Sequence, residues 1–197
     1  VQEFNVTFGS LVSLALGAVR SPREVASTVL SVGVPPAALL PAFLLVVILS
    51  VLLTVVGQNL GVQPSDGGGS LSPLAVTALL CALLGAYIFG LYRTGQAMGG
   101  TGSLAETALL MVFLQFILLL AQVVELLLWV AAPPLAGIFV IAVAVLAFWI
   151  NINFVDVLHG YGSLLKSFGL IVMVSLGIAL VVMLLLTLSG VTLQGTG

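Results

Sequence analysis

Five long apolar runs, separated by short polar connections, fill most of this chain and decide which solvent it folds in. Each run is about 20 residues or longer, the length a helix needs to cross a hydrocarbon core ~30 Å thick. Only ten of the 197 residues are charged, four basic and six acidic, while 61% are hydrophobic and the mean hydropathy is +1.38. A soluble domain carries charge on roughly a quarter of its residues. So few charges cannot clothe a globule of this size in water, and lipid must surround most of it. The expected fold class is therefore all-α and integral to the membrane: a five-transmembrane-helix bundle preceded by short amphipathic interfacial helices. No basic tract argues for nucleic acid.

Residues 1–36 read as an N-terminal cytoplasmic segment lying at the interface. Residues 1–20 lack the basic region and the unbroken apolar stretch of a cleavable signal peptide. Phe8, Leu11, Val12, Ala15, Leu16 and Val19 recur at helical spacing among Gly and Ser, the pattern of a weak amphipathic helix on a membrane surface. Ser21-Pro22-Arg23-Glu24 then spells a helix start. Ser21 is the expected cap, Pro22 fits the first turn, and Glu24 stands where a capping-box carboxylate reaches back. This second short helix should cover residues 22–31.

The membrane domain is expected over residues 37–190, with a polar tail at 191–197. Its spans read as 37–56, 73–92, 103–131, 135–155 and 164–188. Pro41 falls near the start of the first span, and the 57–72 loop contains Asp66. Ala82, Ala86, Gly90 and Thr94 form a small-residue stripe on the second span, where a neighbouring helix can approach closely. Ser103-Leu104-Ala105-Glu106 spells a capping box opening the third span, and Pro133-Pro134 reads as a tight turn before the fourth. Cys81 is the single cysteine, which rules out an internal disulfide or a cysteine-based metal site and reads as a small buried hydrophobe.

The basic residues set the expected orientation. Arg20, Arg23, Arg93 and Lys166 all fall on one side of a five-span topology. The positive-inside rule makes that side cytoplasmic, with the N-terminus inside and the C-terminus periplasmic. Asn5-Val6-Thr7 matches a glycosylation sequon but is inert in the cytoplasm.

Two polar groupings are candidate sites. Gln115, Gln122 and Glu125 share one face of the third span, and such groups in a membrane helix must pair or face a cavity. Structural hydrogen bonding or interfacial exposure is the first reading, and an ion, proton or ligand pocket the second. Asn151, Asn153, Asp156 and His159 gather at the cytoplasmic end of the fourth span, and Asp156 and His159 stand close enough in sequence to touch. With neither a second histidine nor a suitable cysteine, no metal site is expected; a wet helix end is the plainer reading. Trp129 and Trp149 read as interfacial anchors. The glycine-rich stretch 95–103 has Thr101 where a phosphate loop needs lysine, so a flexible turn explains it better. No cofactor is implied, and no nucleophile with a base is evident, so enzymatic activity is not expected.

The Ser21, Pro22, Glu24 element before the first span, and Gly99, Gly100, Gly102, Ser103 and Glu106 opening the third, carry a family likeness. With five spans and an ionisable patch before the last, the chain resembles the Yip domain family, named for Ypt/Rab-interacting proteins, over about residues 10–190. The likeness is nearest to its compact prokaryotic members. It implies the same five-span fold. Eukaryotic relatives serve membrane trafficking through Rab GTPases and one another, but this chain lacks their long acidic and aromatic cytosolic arm, and Rab binding is not expected of it. The resulting expectation is a non-enzymatic multi-pass protein of a bacterial inner membrane that organises lipids or partner membrane proteins, itself included as a homo-oligomer. The alternative is a small oligomeric transporter or channel using the polar face of the third span.

Overall fold

The structure, a computed structural model, describes residues 7–62 and 72–188. Seven helices make up the fold among these residues: α1 (Phe8–Arg20), α2 (Pro22–Ser31), α3 (Pro36–Asn59), α4 (Pro73–Ala97), α5 (Leu104–Ala131), α6 (Pro133–His159) and α7 (Leu164–Leu188). The last five are long and apolar enough to cross a membrane. Asp66, the Asn5 and Val6 of the sequon, and the 191–197 tail lie outside the described residues.

Helices of 24–28 residues measure about 36–42 Å, so the spans outrun a ~30 Å hydrocarbon core and must tilt or protrude. α5 is the most buried and packs against α3, α4, α6 and α2, while α7 closes the bundle against α4 and α6. α4 and α6 run in parallel, because Tyr87 meets Asn151 and Gly95 meets His159 at the same sequence offset. The ends of α4 and α6 and the starts of α2, α5 and α7 therefore share one end of the bundle. Arg20, Arg23, Arg93 and Lys166 all belong to it, and it is called the basic end below.

Several boundaries differ from the sequence reading for one reason: hydropathy falls before the backbone stops being helical. α4 continues past Tyr92 to Ala97, absorbing Arg93 and Thr94, and α6 continues to His159 before Gly160 closes it with φ 65°. Asp156 and His159 thus sit on a helix rather than in a loop. Pro133 and Pro134 are the first residues of α6, where a missing N–H is free, and the turn is left to Ala132. Pro41 is the sixth residue of α3, inside the hydrogen-bond ladder, so the Ala37 carbonyl loses its helical donor.

Ser21 does not cap α2 with its side chain. Its N–H bonds Gly17 O at 2.9 Å, closing α1, so Glu24 has no free amide to reach back to. One residue ends α1 and starts α2, which locks the two into a hairpin. The box at Ser103 does form: Glu106 Oε2 accepts from the Ser103 N–H at 2.8 Å, and Ser103 Oγ from the Glu106 N–H at 3.2 Å.

Among lipids, apolar area gives no preference for protein over solvent, so close packing and hydrogen bonds must hold helices together. The α4 stripe shows where this works and where it stops. A Cβ at Gly90 would lie 2.7 Å from Val174 Cγ1, so α4 and α7 touch there through the glycine. Ala82 and Ala86 are exposed and, with Gly177 and Ile178 on α7, line an open groove that reaches as far as Gly90. Gly90→Leu should therefore destabilise the protomer by about 1–3 kcal/mol. Ala86→Leu should change stability by less than about 0.5 kcal/mol in thermal unfolding of detergent-solubilised protein.

Candidate functional site: a buried polar cluster at the basic end

α6 is almost wholly apolar until Trp149; its last turns then carry Asn151, Asn153, Asp156 and His159. Lipid would make these groups costly, so the helix can hold them only by turning them into protein. All four are buried, together with Ser167 on α7 and Thr107 on α5.

Asp156 is the centre. Its Oδ2 lies 2.6 Å from the Arg23 guanidinium of α2, and its carboxylate side chain is fully buried. Its Oδ1 accepts the Ser163 N–H at 2.8 Å, with the Ser167 hydroxyl at 3.5 Å. One carboxylate thus joins α2, α6 and the first turn of α7, where the helix dipole also favours a negative group. The Arg23 guanidinium pairs with Asp156 while its side chain keeps 52% of its surface exposed.

His159 does not pair with Asp156, contrary to what their spacing suggested, because the two leave α6 towards different neighbours. The imidazole enters a slot walled by Gly95 and Gly100, where a Cβ on either glycine would overlap it. Tyr161 stacks over the ring at 5.3 Å and an interplanar angle of 23°, and its hydroxyl donates to Gly95 O at 2.7 Å. The Leu91 carbonyl interacts with the ring, but neither ring nitrogen makes a hydrogen bond of good geometry. Burial raises the Tyr161 phenol above its ordinary pKa. Gly102 makes room for Leu158 in the same way, and the Thr101 N–H reaches His159 O at 3.3 Å. The glycine-rich loop is therefore a mould for the end of α6. Deeper in the bundle, Asn151 donates to Tyr87 Oη at 2.6 Å, while Asn153 donates to Trp149 O at 2.8 Å.

The second candidate group lies elsewhere. Gln122 donates to Ser50 O and Thr54 Oγ1 of α3, both at 3.0 Å, and Glu125 accepts from Trp129 Nε1 at 3.3 Å on its own helix. Gln115 is half-buried one heptad earlier on α5. None of the three lines the α4–α7 groove or the recess between α3, α4 and α5.

Sequence reasoning gave Arg23 only a topological role, took Gly95 only as part of a flexible glycine-rich turn, and did not single out Tyr87 or Tyr161. A usable signal was present for Arg23: a lone arginine opening a short helix, in a chain with one charged residue near the end of its fourth span. No group of three or more metal-ligating side chains occurs among the described residues. What the cluster can do is ion pairing and hydrogen bonding between helices.

Five membrane-length helices, with a buried polar cluster joining their basic end, define a multi-pass α-helical membrane protein. The chain matches the Yip1 domain over residues 16–186 and belongs to that family. No curated protein and no solved structure matches it.

Removing Arg23 would leave Asp156 as a buried charge without its cation, which is strongly unfavourable. Arg23→Ala should therefore detach the α1–α2 hairpin. Hydrogen exchange of α1 and α2 amides in detergent should rise at least tenfold, while the amides of α5 and α6 keep their protection. Unchanged exchange in α1 and α2 would show that apolar packing alone holds the hairpin.

Proposed function

We propose that this protein is a non-enzymatic organiser of the membrane. It holds the α1–α2 hairpin as a fixed platform at the cytoplasmic end of a five-span bundle, where it meets lipids or partner membrane proteins. The observation that carries the reading is the Arg23–Asp156 pair. The strongest charge interaction of the buried cluster fastens one helix to another and leaves no free carboxylate aimed at a substrate. A catalytic or transport site would instead turn its charged group towards a cavity.

Orientation follows from charge. With all four basic residues at one end, that end faces the cytoplasm under the positive-inside rule. The family likeness to compact prokaryotic members favours a bacterial inner membrane.

Purification from native membranes in mild detergent, for the wild type beside Arg23→Ala, tests this. The wild type should retain a stoichiometric membrane-protein partner or a defined lipid, and Arg23→Ala should lose it while keeping its helical content. A wild-type protein recovered alone, with no bound lipid enriched over the bulk, would contradict the proposal.

A further inference from the structure

α1 has a feature that a helix lying flat on a surface would lack: its start touches the middle of a span. Phe8 packs edge-on against Phe116 of α5, with ring centroids 6.3 Å apart at 86°. Phe116 is the thirteenth residue of α5, whose first residue, Leu104, belongs to the basic end. Twelve residues of helical rise place that contact about 18 Å along the ~42 Å of α5, which is about 12 Å inside a ~30 Å hydrocarbon core centred on the helix. At its other end α1 returns to Arg20, one bend before the Arg23 that binds Asp156. The twelve steps from Phe8 to Arg20 cover about the same ~18 Å. α1 therefore runs from mid-span depth up to the basic end.

Its chemistry suits that path. No charged residue occurs from Thr7 to Val19; Glu3 lies before that stretch and Arg20 ends it. Several polar groups at its start bond within the helix: the Thr7 N–H donates to Ser10 Oγ, the Ser10 N–H to Thr7 Oγ1, and the Ser13 hydroxyl to Ser10 O. A helix in hydrocarbon must meet this requirement, whereas one in water need not. Its inner face is buried through Ala15 and Ala18. Its outer face is apolar and uncovered by protein, with Phe8 70% and Leu16 67% exposed.

We infer that α1 is a half-span that descends into the cytoplasmic leaflet, packed on α2 and α6 with its start against Phe116 of α5, its outer face packed by lipid acyl chains and Arg20 at the level of the phosphates. The inference rests on the platform reading for its orientation and names lipid as what this side of the platform meets. Such a wedge occupies one leaflet only and displaces lipid there.

The test uses the full chain with Cys81→Ser in vesicles of phosphatidylcholine and phosphatidylglycerol. Single cysteines replace Gly9, Ser13 or Leu16, which share one exposed helical face, and each carries a nitroxide label. Collisions with oxygen, which concentrates in lipid, are compared with collisions with a water-soluble nickel chelate. A half-span predicts an oxygen preference that rises several-fold from Leu16 through Ser13 to Gly9. Equal depth at the three positions, or preference for nickel at Gly9, overturns it. A flat or solvated α1 would leave the Arg23–Asp156 anchor standing, because partner and lipid retention by Arg23→Ala reads that anchor separately.

Discussion

A carboxylate buried among transmembrane helices cannot be left to water, and Asp156 meets its requirement by taking a cation from a helix outside the five spans. That ion pair, 2.6 Å long, makes the N-terminal hairpin part of the bundle. The same carboxylate accepts the Ser163 N–H at the start of α7, so the position of α2 and the entry of the last span are set by one side chain. Interior charge of this kind costs several kcal/mol to desolvate and returns it only when every lone pair finds a partner. The arrangement is better understood as fixing a geometry than as adding stability.

The remaining contacts of the basic end follow from the shape of the α6 terminus. Gly95 and Gly100 stand where any side chain would collide with His159, and Gly102 where it would collide with Leu158. Tyr161 then folds back over the imidazole and ties itself to Gly95 O. In a lipid solvent these close backbone approaches, with hydrogen bonds such as Gln122 to Ser50 and Thr54, are what distinguish one packing of apolar helices from another.

How much of this could be read from sequence depends on the distance over which each feature is determined. The number and identity of the spans are local properties of composition, and all five appear as helices; so do α1, α2 and the Ser103 box. Boundaries failed where polarity was taken for the end of a helix, as at Arg93 and Asp156, since a helix end protruding from lipid loses hydropathy without losing hydrogen bonds. Ser21 failed differently: whether its N–H is free depends on α1, four residues upstream. The clustering of Asn151, Asn153, Asp156 and His159 was legible because they share one helix. Their distant partners were not, because Arg23, Tyr87 and Gly95 come from segments about 64 residues or more away, and a single sequence carries no record of such pairings. The glycine loop was visible as a motif, but its purpose emerges only once α6 is laid against it.

The most direct test of the account is a double-mutant cycle on Arg23 and Asp156, with unfolding free energies measured in mixed micelles for the wild type, Arg23→Ala, Asp156→Ala and the double variant. If the buried pair anchors the hairpin, the double variant should be less destabilised than the sum of the two single changes by about 1.5–3 kcal/mol. Much of that difference comes from removing the stranded carboxylate that Arg23→Ala alone leaves behind. Effects that add to within about 0.5 kcal/mol would mean the two residues do not act on each other, and would contradict the account.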